Sequence, residues 1–100
     1  MDAVTTQRMT ALAHANEIRL RRAALKDNIR RGEVTIADVI DDHAVQTAAV
    51  FDLLRAPHRM GPGKARLVLR MIGASATLQV AQLTDRQRGE LLTILAAAGH

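Results

Sequence analysis

The sequence predicts an all-α protein, with one long N-terminal helix followed by a compact set of shorter ones. Three observations carry this expectation. From about Thr6 to Arg31 no glycine or proline interrupts a run rich in Ala, Leu and Arg, all strong helix formers. Near the end of the chain, Leu91, Leu92, Ile94 and Leu95 form an apolar stripe at helical spacing. No stretch shows the period-two alternation of a half-buried strand.

The first helix carries two stripes. At 100° per residue, Ala11, Ile18, Leu25 and Ile29 share one face, while Arg8, Arg19, Arg22, Lys26 and Arg30 share a neighbouring face about 80° wide. Arg31 extends the basic stripe at its end, and no acid at an intervening i, i+4 position pairs with it. A helix of ~25 residues is roughly 37 Å long, more than one turn of duplex DNA, so the basic stripe is a candidate nucleic-acid surface. Gly32 stands where a C-terminal cap belongs. Residues 1–32 thus form the long helix and 33–100 the helical domain, expected to act as one structural unit.

Thr35 is placed to cap a short helix, TIADVID, with Asp38 completing a capping box. Asp41-Asp42-His43 reads as a helix end and loop, because two adjacent carboxylates and one histidine fall short of a metal site. A third helix is expected over Val45–Arg55, ended by Pro57, with Ala49, Val50, Leu53 and Leu54 inward. The fourth is expected over Lys64–Ile72, with Leu67, Val68, Met71 and Ile72 inward and Gly73 as its cap. Thr84-Asp85-Arg86-Gln87 opens the last helix as a second capping box.

Composition bounds the function. One hundred residues make one small domain with a modest core. Cysteine is absent, which excludes disulfides and thiolate metal sites. No apolar run approaches the roughly 18–20 residues of a membrane span. No signal-peptide pattern is visible, so a cytoplasmic protein is expected, with no membrane partner. The net charge of +4 points to an anionic partner. Phe51 is the sole aromatic residue, which argues against stacking of single-stranded bases.

The charge is unevenly spread. Residues 1–31 carry seven Lys/Arg against three acids, residues 32–56 one against five, and residues 57–73 four against none. The basic surplus therefore falls into two blocks divided by an acidic one, and two separate nucleic-acid surfaces are expected.

The second basic block contains the most informative stretch. Gly61-Pro62-Gly63 reads as a turn running into a basic helix with Lys64, Arg66 and Arg70. Glycine lets a ligand approach the backbone closely, and a helix start offers unpaired N–H groups and a positive dipole end. A lysine at that start opposes the dipole unless an anion sits there. The expectation is a helix-hairpin-helix phosphate clamp built from Gly61, Pro62, Gly63, Lys64, Arg66 and Arg70.

Catalysis is not expected. The four histidines (His14, His43, His58, His100) are scattered, without a base or nucleophile partner at a readable spacing. No cofactor, metal or small-molecule substrate is expected.

Two segments carry a family resemblance: Ala23–Gly32, AALKDNIRRG, and Gly61–Ser75, GPGKARLVLRMIGAS, followed by LTDRQRGELL. In order and spacing the chain resembles the actinobacterial integration host factor family over nearly its whole length. Those nucleoid-associated proteins are themselves similar to the ribosomal small-subunit protein that carries a helix-two-turns-helix module. The resemblance implies a long N-terminal helix joined to a compact helix-two-turns-helix domain. It further implies largely sequence-tolerant binding of double-stranded DNA, bending or organisation of that DNA, and assistance to site-specific recombination. Partners on this reading are DNA and a recombinase or host nucleoid protein. The hairpin would meet a minor groove and the first helix would offer a second surface. Arg86 and Arg88 of the DRQR segment join the candidate contacts.

The chain departs from the family pattern in two places. Where members tend to carry Gly-Lys-Val-Lys/Arg-Ala, Gly61-Pro62-Gly63-Lys64-Ala65 stands. Where they carry Arg-Arg-x-Arg before the last helix, the positions are Leu78, Gln79 and Ala81. Losing about three phosphate contacts weakens binding and flattens its salt dependence. The departures mark a divergent paralogue or a phage-encoded relative. Two alternatives stay open: an interaction protein with weakened DNA binding, and a double-stranded RNA or ribosome-associated binder.

Overall fold

The structure is a computed structural model that describes residues 3–100, with side chains from residue 6 onward. The first two residues of the N-terminal segment lie outside the described residues. Five α-helices follow one another: α1 Ala3–Arg30, α2 Ile36–Val39, α3 Val50–Leu54, α4 Pro62–Ile72 and α5 Asp85–Ala97. Single 3-10 turns occupy His43–Val45 and Val80–Gln82. None of the described helices is long and apolar enough to cross a membrane.

The long first helix dominates the shape, which measures 54 × 27 × 21 Å. At 1.5 Å per residue its 28 residues span about 42 Å. Only its second half is docked. Ala11 is exposed, Ile18 is the first half-buried residue among those whose side chains are described, Leu25 packs against the core and Ile29 is buried. The expected apolar stripe therefore engages from Ile18 onward, and the preceding turns project from the body. Gly32 (φ +75) ends the helix as expected: its N–H bonds to Ile29 O and that of Glu33 to Asn28 O, a paired closure that needs a left-handed residue. Gly73 (φ +73) closes α4 in the same way.

Polar contacts hold α1 onto the 3-10 turn at His43–Val45. Arg21 donates to both carboxylate oxygens of Asp42, at 2.6 and 3.0 Å. Arg22 donates to Ala44 O at 2.8 Å and to the Thr47 hydroxyl. Lys26 pairs with Asp52 at 2.7 Å. Asp42 is only 14% exposed and also accepts the Ala44 N–H, capping the turn. The Arg21 hydrogen bonds, and then the Ala44 N–H, pull its pKa down to about 2.

Both capping boxes form as expected, Thr35 with Asp38 and Thr84 with Gln87. The Thr35 backbone N–H, and next its hydroxyl, hold Asp38 below the ordinary carboxylate range.

The expected third helix over Val45–Arg55 is corrected. Val45 ends the 3-10 turn, Ala49 is extended, and α3 begins at Val50. Tertiary hydrogen bonds outweigh local helix propensity here. Gln46 Nε2 donates to the carbonyls of Ile40 and Asp42. Val50 N–H bonds to Leu78 O at 2.8 Å, Val80 N–H to Ala48 O and Ala81 N–H to Gln46 O, around an antiparallel bridge between Ala49 and Gln79. These bonds pull the chain out of helical geometry and tie the segment before α5 to the body.

The core gathers Ile36, Val39, Ile40, Val45, Val50, Leu53, Leu54, Ile72, Val80, Leu91 and Leu95, all nearly inaccessible. In α4 the buried residues are Ala65, Val68, Leu69 and Ile72. Leu67 and Met71, expected inward, are instead 52% and 59% exposed. The i, i+3, i+4, i+7 set from Ala65 faces the core, and Leu67 and Met71 lie on the other side of the helix.

Two outcomes follow from this packing. Leu91→Ala empties a fully enclosed site and should cost about 3 kcal/mol, read from the urea midpoint. Asp42→Asn should lower the thermal midpoint by an amount that depends on pH. The folded pKa of about 2 lies below the unfolded value of ~3.9, so the contribution of Asp42 is fully present above roughly pH 5 and fades between roughly pH 4 and 2. The parent and Asp42→Asn proteins should differ most at neutral pH and converge in acid.

Candidate nucleic-acid interface

The candidate interface is built where α3 hands over to α4. Pro57 follows the end of α3, and Met60 N–H bonds back to Pro57 O at 3.1 Å. Met60 itself is buried and pins the turn to the core. The turn proper therefore lies before Gly61, and the expected Gly61-Pro62-Gly63 turn is corrected. Gly61 is the N-cap of α4 in ordinary extended geometry, Pro62 takes the first helical position and Gly63 the second. Proline suits that position because its missing N–H would have no partner anyway.

The glycines leave the helix start open. A Cβ placed on Gly61 or Gly63 would meet nothing within 4 Å. No side chain caps α4 and no acid stands in its first turn. The N–H groups of Gly63 and Lys64 thus face a clear approach at the positive end of the helix dipole.

The cations of the preceding turn and of α4 are not neutralised. Among the described residues, no carboxylate lies within ion-pair distance of Arg55, Arg59, Lys64, Arg66 or Arg70. Arg66 lies over the Phe51 ring, 5.5 Å from its centre, a cation–π contact that fixes the guanidinium and leaves its N–H groups free to donate. Arg66 and Arg70 stand one turn apart as like charges with no acid between them.

The first-helix candidates divide. Arg8 and Arg19 are exposed and have no ion-pair partner among the described residues. Arg22 and Lys26 are used in docking α1, as described above. Arg30 pairs with Asp27, and Arg31 with Asp27 at 3.1 Å and with Glu33. The expectation that the basic stripe lacks acidic partners is therefore corrected. The partners are Asp27 on the same helix and the acidic segment that follows it. Arg86 and Arg88 of α5 pair with Glu90 and Asp41. Gln79 and Ala81, at the positions of the absent arginine cluster, are exposed, and Leu78 is half-buried.

The structure also brings together residues that sequence reasoning did not combine. A groove of about 340 Å3 is lined by Arg30, Arg55, His58, Arg59 and Gly61, joining the end of α1 to the start of α4. Arg55 was hidden by its place in an otherwise acidic segment. Among the described residues, no three His, Cys, Asp or Glu side chains gather as a metal site.

No protein-family model matches the sequence. The chain is 33% identical over 90 residues to the integration host factor of Mycobacterium tuberculosis, covering 86% of each protein. It is equally similar, with the same coverage, to the integration host factor of Mycolicibacterium smegmatis. Its fold matches the solved structure of sIHF bound to an 8-bp palindromic DNA, with a TM-score of 0.74 at 21% identity, over 82% of this chain and 97% of that one. By its identity to the two mycobacterial proteins across most of its length, the chain belongs to the actinobacterial-type integration host factor family.

Proposed function

We propose that the chain is an architectural DNA-binding protein that grips the phosphate backbone of double-stranded DNA with little sequence preference. The observation that carries this reading is the start of α4. Open glycine backbone and uncapped N–H groups stand there beside Lys64, and Arg66 and Arg70 follow along the same helix, none of the three with a carboxylate at ion-pair distance among the described residues. Such a surface suits an anionic polymer, because phosphate contacts supply affinity that does not depend on base identity. Membership of the integration host factor family supports the same reading, as does the fold shared with a protein solved on DNA. On this reading the protein acts by binding and shaping DNA rather than by catalysis. It works on the cytoplasmic nucleoid and assists recombination beside a recombinase or a host nucleoid protein.

A second reading, an interaction protein with weakened DNA binding, draws on the exposed Leu67 and Met71 and on the residues Leu78, Gln79 and Ala81. Gel shifts with duplex DNA, duplex RNA and single strands at two salt concentrations decide between them. Duplex DNA should be retained best, with affinity falling as salt rises; no duplex binding at low salt would favour the second reading.

Two mutational outcomes test the surfaces separately. Gly63→Val places its side chain in open space, so the protein should fold, yet the branched side chain should block a phosphate and weaken duplex binding. Arg66→Ala and Arg70→Ala should each reduce the slope of log affinity against log salt by about 0.9.

The second surface is narrowed to the exposed Arg8 and Arg19 of α1, because Arg22 and Lys26 are used in docking the helix. Arg8→Ala combined with Arg19→Ala should leave short-duplex binding near the parent level while reducing bridging of long DNA. Imaging of long DNA checks this, and undiminished compaction by the double variant would assign α1 no DNA contact.

A further inference from the structure

We infer that Arg59 is held in a strained backbone conformation in order to complete a second phosphate seat, shared with Arg55 and Arg30, beside the start of α4. The inference rests on the duplex-binding reading and names contacts that the hairpin motif does not include. Arg59 is the one non-glycine residue with a positive φ, +69°, among the described residues. That region is disfavoured for side chains with a Cβ and is the usual province of glycine. The surroundings allow no relaxation. Met60 is buried on one side, Pro57 fixes its own φ on the other, and the bond from Met60 N–H to Pro57 O closes the turn. A glycine at position 59 would serve this turn at lower cost, so the arginine needs a reason beyond folding.

The groove supplies that reason. Arg59, Arg55 and Arg30 line the same cavity, and Gly61, the N-cap of α4, forms part of its wall. Arg55 and Arg59 are exposed and have no ion-pair partner among the described residues, while Asp27 shares the adjoining hollow with Arg30 and Arg55. Among the described residues, Arg30 pairs with Asp27 alone, on its own helix. His58 is the other titratable group on the groove wall. Gathering three guanidinium groups beside a single carboxylate, Asp27, is unfavourable unless a further anion occupies the space between them. Arginine's planar fork suits phosphate oxygens, which it can bind through two N–H groups. Along one DNA strand a phosphate recurs every ~3.4 Å of helix rise. A strand with one phosphate at the α4 start can therefore present a neighbouring one to this groove.

The test is Arg59→Gly, with Arg59→Asn as a second neutral variant whose side chain tolerates the same backbone region, each compared with the parent and Arg70→Ala. Thermal midpoints and short-duplex affinities are measured over a range of salt. Arg59→Gly should melt higher than the parent, because the strain is relieved, yet bind DNA more weakly, with a salt slope lower by about 0.9. Arg59→Asn and Arg55→Ala should show the same loss of slope. If Arg70→Ala weakens binding while Arg59→Gly and Arg59→Asn bind like the parent, the hairpin reading stands and the second seat does not exist. If the parent itself does not bind duplex DNA, both readings fall. A lower melting point for Arg59→Gly would overturn the strain argument, because the arginine would then be serving the fold.

Discussion

The fold depends on the clamp between Arg21 and Asp42. A helix with only Ile18, Leu25 and Ile29 to bury has too thin an apolar stripe to fix its own position, so hydrogen bonds set its register. Asp42 does two things at once. It receives the Arg21 guanidinium and caps the 3-10 turn through Ala44 N–H, while the Ala44 carbonyl accepts from Arg22. Turn and helix are thereby locked to each other. The placement of Lys26 against Asp52, of Ile29 in the core and of Arg30 at the groove all follow from that one register.

This docking also decides where positive charge is available. The acidic segment is not a barrier between two DNA surfaces; Asp42 and Asp52 neutralise α1, and Asp41 neutralises Arg88 of α5. What remains without a carboxylate at ion-pair distance lies on the α3–α4 turn and along α4, apart from Arg8, Arg19 and Arg22 of α1. A net charge of +4 thus understates how concentrated the positive field is at the hairpin. Arg21 and Asp52 are each more than half exposed, so salt weakens the docking of α1 as well as any grip on phosphate.

Features governed by near neighbours were legible in the sequence. The capping boxes of Thr35 and Thr84, the closures at Gly32 and Gly73, and the unopposed charges Lys64, Arg66 and Arg70 all lie within a few residues of what defines them. Features governed by distant partners were not. The third helix starts late because Val50 and Ala48 bond to Leu78 and Val80. In α4 the helical period was right and its phase wrong, since α3 and α5 choose which face is covered. Arg22 and Lys26 looked free because their partners stand 22 to 26 residues further on. Arg55 and Arg59 could not be joined to Arg30 before the chain was folded.

The start of α4 differs from those of α2 and α5 in one consistent direction. Both α2 and α5 begin with a threonine whose hydroxyl takes an N–H, and each carries an acid in its first turn that suits the helix dipole. Helix α4 begins with a glycine that takes none, carries a second glycine inside its first turn, has a lysine against the dipole, and follows a strained arginine. Each choice is locally unfavourable, and a serine or aspartate at position 61 would remove part of the cost. Capping that end would also consume the donors and fill the approach to them. Unfavourable choices scattered over the chain would have no common explanation; these fall within Arg59–Lys64, at a helix start with neither a side-chain cap nor an acid in its first turn.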